Sequence, residues 1–334
     1  MPGKWLDRLR GHADAPPHED GSSRHRPAET SPLQVIAQWQ PRIDVDVAFS
    51  RWLLNAATEE SAANTSASHV LLRDLAAAVQ APRESLIPRV PSLVPQLLHS
   101  LRDPHKSVAA LSRQVAQDPV LVAAVLRRAN SPYYRAGKHI ESLEQALLVI
   151  GHDSLRHVVA AVAFRPIINV QSGAFTQRAA PIVWDQSERC GVACHVLALA
   201  AGTSPFEAFL GALLYNVGTI VVLRELDHLP RGAATLGIAA FCAGFVTLAR
   251  EVACTIGRRW KFPVNVIAAL PQRAPGEGGA GTTALADVLR AGDRVSKLRL
   301  LVEAGQVARD ASLDLDSAPV IGVCFDKLGA FAAA

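Results

Sequence analysis

The stretch from Gln117 to Val159 constrains the fold more than any other part of the chain, because its helix boundaries are marked by specific residues. Asp118-Pro119 predicts a helix start, since the carboxylate can accept a bond from an otherwise unpaired amide and proline suits the first helical position. Asn130-Ser131-Pro132 predicts the end of that helix, because proline disfavours helical geometry at the residue before it. Ser142 then begins a second helix, and a third follows closely. Helices in such close succession predict a compact helical layer.

Helical spacing of apolar residues extends over most of the chain, and no convincing period-2 strand pattern occurs. Four features are predicted to interrupt helices. They are a polar link over Thr58–Ser68, a stop at Gly151, an irregular connection over Phe164–Arg178 around Pro166 and Gly173, and a break at Gly218. The sequence therefore predicts an all-α fold.

The composition favours a large helical core and argues against several functional classes. Hydrophobic residues make up 49% of the 334 residues and aromatic residues only 5%, which suits close helix packing. The net charge of +4 is small and the basic residues are interspersed with acids, so no nucleic-acid-binding surface is predicted. The five cysteines lie mostly in apolar helical runs, which favours free thiols in a reducing cytoplasm over disulfides.

Neither a secretory signal nor a membrane span is predicted from the sequence. Residues 1–30 lack an apolar central segment. No uninterrupted apolar run reaches the roughly 18 residues that a membrane helix needs, and the nearest candidate, Val192–Leu223, carries several polar residues. We therefore expect a soluble, cytoplasmic protein.

Several separated motifs resemble the signature of one bacterial family. They are Pro91-Ser92-Leu93, Asp118-Pro119 with Leu121, Ala129-Asn130-Ser131-Pro132-Tyr133-Tyr134, Ile140, Ser142, Ala146, Ile150-Gly151 and Trp260-Lys261-Phe262-Pro263. In this order they resemble the HDOD domain, a signalling relative of the HD phosphohydrolases. The resemblance covers roughly residues 85 to 300 and implies a multi-helix bundle in two helical sub-lobes.

With this resemblance the chain divides into four predicted parts. Residues 1–32 are expected to be a disordered tail, because they mix polar residues, proline and glycine without periodicity. Residues 33–84 are predicted to form a helical extension that precedes the family domain. The HDOD domain is assigned to residues 85–307 and a C-terminal tail to residues 308–334.

The resemblance also points to the positions at which HD phosphohydrolases bind metal. Those enzymes hold divalent metal with histidines and aspartates, including an adjacent His-Asp pair, and the metal activates water against a phosphodiester. The matching positions of this chain carry Gln186, Tyr215, Asn216, Ala249 and Asp293. Because only Asp293 keeps a suitable ligand type, the resemblance implies a non-catalytic protein with no metal and no cofactor.

Two interpretations of this degenerate pocket remain open. Gln186, Tyr215 and Asn216 could line a polar pocket for a small ligand, or they could be satisfied by internal hydrogen bonds, which we favour. Asp293 could be the remnant of a metal site, but we favour a carboxylate that pairs with a nearby arginine. The candidate arginines are Arg290 and Arg294.

Three functional hypotheses follow. The first, which the resemblance implies, is a non-catalytic bacterial signal-transduction scaffold that regulates partner proteins, with a link to cyclic-di-GMP control of motility or adhesion. The alternatives are a metal-dependent HD-type phosphodiesterase and a small-ligand sensor that uses the degenerate pocket. The expected partners are signalling proteins, and a homo-oligomer is compatible with the sequence.

The predicted partner surface is the turn that follows the first helix of the opening stretch. Tyrosine and arginine are enriched at binding hot spots, and a turn between capped helices presents them with little ordering cost. The residues of this signature region are Asp118, Pro119, Asn130, Ser131, Tyr133, Tyr134 and Arg135. We favour an inward-packed, bracing role for Tyr133, which leaves Tyr134 and Arg135 as the candidate contacts.

Overall fold

The computed structural model describes residues 31–56, 61–81, 95, 112–113, 115–130, 139–169, 172–229, 235–271, 283–309 and 318–332. Within these ranges every regular element is a helix, which confirms the predicted all-α fold. Residues Pro32–Ala334 form one compact unit. The predicted disordered tail falls almost entirely outside the described residues, and its boundary at residue 32 stays a prediction.

The described helices are named here in chain order. They are α1 (Pro32–Gln38), α2 (Val45–Leu54), α3 (Ala62–Gln80), α4 (Pro119–Ala129), α5 (Leu143–Ile168), α6 (Ala174–Ala201), α7 (Pro205–His228), α8 (Ala239–Arg259), α9 (Val264–Ala269), α10 (Ala284–Glu303) and α11 (Pro319–Ala332).

Helix α7 lies at the centre of the bundle and packs against α5, α6, α8 and α10. It is apolar around most of its circumference, as expected for a helix surrounded by others. The predicted break at Gly218 is wrong, because α7 continues through this residue. A Cβ added at Gly218 would collide with the backbone carbonyl of Ala249 on α8, so the glycine serves close helix packing.

The predicted helical extension is present as α1, α2 and α3, which pack against α8 and α10. Helix α2 is capped by Asp44, whose side chain accepts a bond of 3.0 Å from the Val47 amide. The polar link predicted over Thr58–Ser68 is too long, since the Ser61 hydroxyl caps α3 and the helix begins at Ala62. Local capping therefore outweighs the polar composition of this segment.

The opening stretch folds largely as its boundary residues predict. The Asp118 carboxylate accepts bonds from the amides of Val120 at 2.8 Å and Leu121 at 3.4 Å, and Pro119 is the first residue of α4. Gly151 adopts a left-handed φ of 75° and bends α5 by 110°, so the predicted helix stop is confirmed as a sharp kink.

The predicted irregular connection over Phe164–Arg178 is mostly wrong. Helix α5 runs through Pro166 to Ile168, because Phe164 and Ile168 are fully buried and hold this turn in the core. Helix α6 then begins at Ala174, earlier than the sequence suggests. Its first turn is fixed from a distance by Asp227 of α7, which accepts bonds from the amides of Phe175 at 2.8 Å and Thr176 at 3.2 Å.

Residues of the predicted C-terminal tail form α11, which packs against α6 and α10. Its buried side chains include Ile321, Cys324, Phe325 and Leu328. Their spacing places all four on one helical face, which explains why this segment joins the core.

Two described helices, α7 and α8, are long and apolar enough to cross a membrane by length and composition. The bent helix α5 would be a third if its two arms formed a broken span. In this fold 89% of the most apolar window of α7 and 56% of that of α8 are buried inside the protein.

Candidate functional site

The five positions predicted for the degenerate metal pocket come together in the fold. Tyr215, Asn216, Ala249 and Asp293 line one small cavity between α2, α7, α8 and α10. Gln186 reaches the same place from α6, since its Nε2 donates a bond of 3.0 Å to Oδ1 of Asp293. The cavity has a volume of about 30 Å³, about the share of liquid volume that one water molecule takes.

Asp293 is the most heavily bonded residue of this site. Its Oδ1 accepts the bond from Gln186, and its Oδ2 accepts a bond of 2.8 Å from the Lys297 ammonium one turn along α10. Arg250 of α8 approaches the same oxygen at 3.5 Å. All three partners are side chains, so the carboxylate is satisfied within the protein.

The predicted pairing of Asp293 with Arg290 or Arg294 is therefore wrong. Arg290 pairs with Asp287 at 2.6 Å, and Arg294 donates a bond of 2.9 Å to the Gln40 side chain. Arg290, three positions before Asp293, is instead engaged by Asp287 and by the Ala37 carbonyl, and Arg294 is the adjacent residue, which does not share the face of Asp293. Lys297, four positions along, does share that face.

A second carboxylate in the site, Asp46, was missed by the sequence analysis. It comes from α2 of the extension and accepts bonds from Lys297 at 2.7 Å and from Arg250 at 3.0 Å. Asp46, Arg250, Asp293 and Lys297 thus form an ion-pair cluster with two positive and two negative charges. The available signal was a lone acidic residue between the apolar Val45 and Val47 of an amphipathic helix.

Mutual attraction controls the protonation of the ion-pair cluster. Burial by itself would raise the pKa of Asp46, but Lys297 and then Arg250 outweigh it and hold that pKa well below its ordinary value. Burial would likewise lower the pKa of Lys297, yet Asp293 and Asp46 raise it above the usual value. The pKa of Arg250 is raised in the same way by Asp46 and Asp293, against burial. These shifts keep Asp46, Arg250 and Lys297 charged at neutral pH.

Two other pocket residues donate hydrogen bonds to backbone carbonyls. The Tyr215 hydroxyl donates a bond of 3.0 Å to the Leu270 carbonyl, and the Asn216 amide donates one of 3.1 Å to the Ala212 carbonyl. These contacts favour the internal-hydrogen-bond interpretation for Tyr215 and Asn216. Gln186 fits it only in part, because its Nε2 donates to Asp293 and Ser296 while its buried Oε1 has no hydrogen-bond partner among the described residues.

The ion-pair cluster does not fit a divalent metal. Each of its two carboxylates is already neutralised by two cationic side chains, and those cations would repel a metal ion. Among the residues that the structure describes, no group of three or more His, Cys, Asp or Glu side chains is placed to hold a metal ion.

The signature region is partly described, and Asn130 is its best-defined residue. Its Nδ2 donates to the Leu126 carbonyl at 3.0 Å and to the Ile140 carbonyl at 2.8 Å, while its Oδ1 accepts a bond of 2.8 Å from the Ile140 amide. One amide side chain thus joins the end of α4 to the chain before α5. Ser131, Tyr133, Tyr134 and Arg135 lie outside the described residues.

Comparison with known protein families gives a match over the central part of the chain. The sequence profile of the HDOD domain matches residues 87–273, more than half of the chain. The chain belongs to the HDOD domain family. The match begins after α3 and includes α4 through α9, so the extension and α10 lie outside it.

Solved structures with the same fold bear names of two kinds. A "Putative metal-dependent phosphohydrolase" from Shewanella amazonensis SB2B is 20% identical to this HDOD protein, covers 78% of this chain and 99% of its own, and has a TM-score of 0.52. A "Putative signal transduction protein" from Marinobacter aquaeolei VT8 is 18% identical, covers 81% of this chain and 65% of its own, and has a TM-score of 0.51. At these identities the similarity shows the fold alone.

Among curated proteins, an "Uncharacterized protein" of Treponema pallidum (strain Nichols) is 24% identical over 149 residues. The aligned part is 44% of this chain and 28% of that protein. This HDOD protein therefore spans about a quarter of the length of that curated relative.

Proposed function

We propose that this HDOD protein is a non-catalytic bacterial signal-transduction module that acts through contacts with other proteins. The observation that carries the proposal is the ion-pair cluster, which fills the degenerate metal pocket with the side chains of Arg250 and Lys297. A phosphodiesterase of the HD type needs a bound metal to activate water, and these residues offer no such site.

Metal analysis and a hydrolysis assay test the non-catalytic part of the proposal. The purified full-length protein is expected to carry less than stoichiometric transition metal and to leave cyclic-di-GMP intact. A metal-dependent HD phosphodiesterase, handled in parallel, serves as the positive control. One or more tightly bound metal ions per chain together with hydrolysis would overturn the proposal and favour the enzyme alternative.

The signalling part of the proposal rests on the turn after α4. Asn130 fixes the entry to this turn by bonding to both Leu126 and Ile140. We propose that Tyr134 and Arg135 contact signalling proteins of the same cell, in control of motility or adhesion linked to cyclic-di-GMP. The support for these two residues is their type, because tyrosine and arginine are enriched at binding hot spots.

Affinity capture tests the proposed contact. The double variant Tyr134→Ala and Arg135→Ala is expected to capture clearly less partner than the wild-type protein, with unchanged helicity and melting temperature. The matched control is Arg258→Ala with Arg259→Ala, which removes exposed charge at the end of α8. Equal capture by wild type and turn variant would exclude this surface.

We also propose that the protein is cytoplasmic. The support is the burial of the apolar window of α7, of which 89% is covered by the protein itself. Fractionation of cells that express the full-length chain tests this, and recovery in the membrane fraction after a high-salt wash would contradict it.

A further inference from the structure

A second cavity lies apart from the ion-pair cluster, between α4, α5, α6 and α7. Its volume is about 590 Å³, and the residues that line it include none of the ion-pair cluster. This size falls within the roughly 300–1,000 Å³ of small-molecule sites in proteins. Its floor is apolar and is formed by Val158, Val162, Phe209 and Leu213.

The rim of this cavity carries three guanidinium groups. Arg127 and Arg128 stand in the last turn of α4, and Arg165 comes from α5. The Arg165 guanidinium lies 5.3 Å from the centroid of the Trp184 ring, so a cation and an aromatic surface are presented together.

The acidic side chains of the cavity compensate this positive charge only in part. Asp185 is paired with Arg189 at 2.8 Å, which leaves Glu188 as the remaining carboxyl. Burial raises the pKa of Glu188, although Arg128 opposes the effect. The rim therefore keeps a net positive charge above an apolar floor.

We propose that this cavity binds a nucleotide-sized organic phosphate. The planar part of the ligand would lie on the apolar floor beside Trp184, and its phosphate would face Arg127, Arg128 and Arg165. Guanidinium groups suit this role, because their fixed N–H geometry matches phosphate oxygens. A half-open cavity of about 590 Å³ with an apolar floor has the size of a small-molecule site, whereas a peptide or a nucleic acid would need a longer groove. The site does not depend on the non-catalytic assignment of the other pocket.

Calorimetry with ribonucleoside monophosphates tests the proposal on the full-length protein. At least one of GMP, AMP, CMP and UMP is expected to bind with a micromolar Kd. Its nucleoside and inorganic phosphate, which each supply half of the contacts, are expected to bind at least about tenfold more weakly. Absence of binding by all four nucleotides at millimolar concentration would overturn the proposal. Equal binding of inorganic phosphate would also overturn it, because it would indicate unspecific attraction of anions.

Two sets of variants locate the binding to the cavity. Replacing Arg127 and Arg165 by alanine is expected to weaken the best nucleotide by about tenfold to a hundredfold, whereas Arg259→Ala at the end of α8 changes nothing. Ala124→Phe fills the cavity and is expected to abolish binding, whereas Ala123→Phe on the exposed side of α4 keeps it. If the variant that lacks both Arg127 and Arg165 binds the nucleotide as tightly as wild type, the proposed site is wrong. This test does not depend on whether Ala124→Phe folds.

Discussion

At the scale of single residues, Asn130 connects the end of α4 to the segment before α5. Its side chain bonds to the carbonyls of Leu126 and Ile140 and to the amide of Ile140, because a short amide at a helix end can reach nearby backbone groups. Replacing Asn130 by alanine removes the side-chain bonds to the amide and the carbonyl of Ile140, whereas the Leu126 carbonyl keeps the bond from the backbone amide of residue 130. The change is expected to cost about 1–3 kcal/mol of unfolding free energy. Chemical denaturation measures this loss.

The control for Asn130 is Asn169→Ala, because Asn169 also ends a helix but is exposed. That variant should stay within about 0.5 kcal/mol of wild type. Asn130→Asp provides a sharper comparison. It keeps the oxygen that accepts from Ile140 but turns a donor into an acceptor that faces two carbonyls. Stability equal to wild type in both Asn130 variants would contradict the structural role.

Asp46 is the member of the ion-pair cluster that comes from the N-terminal extension. Asp46→Asn leaves Arg250 and Lys297 with Asp293 as their one remaining carboxylate in the cluster. Removing one partner of a buried ion pair typically costs about 3–5 kcal/mol, so we expect a loss of that order in a denaturation experiment. The control Asp74→Asn removes an exposed carboxylate beside Arg73 and should cost less than about 1 kcal/mol. A similar, small effect of both changes would show that the cluster contributes little.

At the scale of elements, Gly218 sets how closely α7 and α8 approach. A Cβ at this position would overlap with the Ala249 carbonyl, which belongs to helical backbone and cannot move aside easily. We expect Gly218→Ala to destabilise the protein by about 1–3 kcal/mol despite the better helix propensity of alanine. Thermal and chemical unfolding measure the change.

Gly257→Ala is the matched comparison on α8, since the nearest atom to its added Cβ is a side-chain carbon of Ile267 at 3.3 Å. Both substitutions raise the helix propensity by the same amount. The difference in unfolding free energy between the two variants therefore measures the cost of the collision between the added Cβ and the Ala249 backbone. A Gly218→Ala protein as stable as the Gly257→Ala protein would contradict close packing at Gly218.

Helix boundaries could be predicted from the sequence where residues close by in the chain determine them. Asp118, Ser142 and Gly151 act within a few residues, and the structure places helix boundaries or a kink at each of them. Pro166 and Gly218 were misjudged because their local preference is overruled by packing, the first by the burial of its neighbours and the second by the approach of α8. Such packing depends on residues distant in the chain.

At the scale of the whole molecule, the candidate site could be predicted from the sequence only in part. The resemblance placed Gln186, Tyr215, Asn216, Ala249 and Asp293 at one location, and the fold brings them together. It could not supply the other three members of the ion-pair cluster, Asp46, Arg250 and Lys297. The bonds of Asp46 span more than 200 positions, and no local pattern in the sequence encodes that pairing.

The acid stability of the whole protein should reflect the lowered pKa of Asp46. A carboxyl whose pKa is lower in the folded than in the unfolded state contributes stability above its unfolded pKa and loses it as the pH falls. The stability difference between wild type and Asp46→Asn is therefore expected to be largest near neutral pH, to begin to shrink below about pH 5 and to go on shrinking below the ordinary pKa of an aspartate. The raised pKa of Glu188 has the opposite effect on the pH dependence of stability. Because Glu188 is present in both proteins, its contribution cancels in the difference.

Chemical unfolding at several pH values measures this difference. The difference in unfolding free energy between wild type and Asp74→Asn should show no comparable trend with pH, because Asp74 is exposed. A difference between wild type and Asp46→Asn that is constant over the acid range would contradict the coupling of Asp46 to the cations.

The ion-pair cluster also bears on how this chain could change over generations. Arg250 and Lys297 belong to α8 and α10, whereas one of their two counter-charges belongs to the extension. A descendant that lost the extension would keep these two cations against the single carboxylate of Asp293 in the cluster. Such a loss would be tolerated only together with a substitution at Arg250 or Lys297, so the extension and these two positions are expected to change together in evolution.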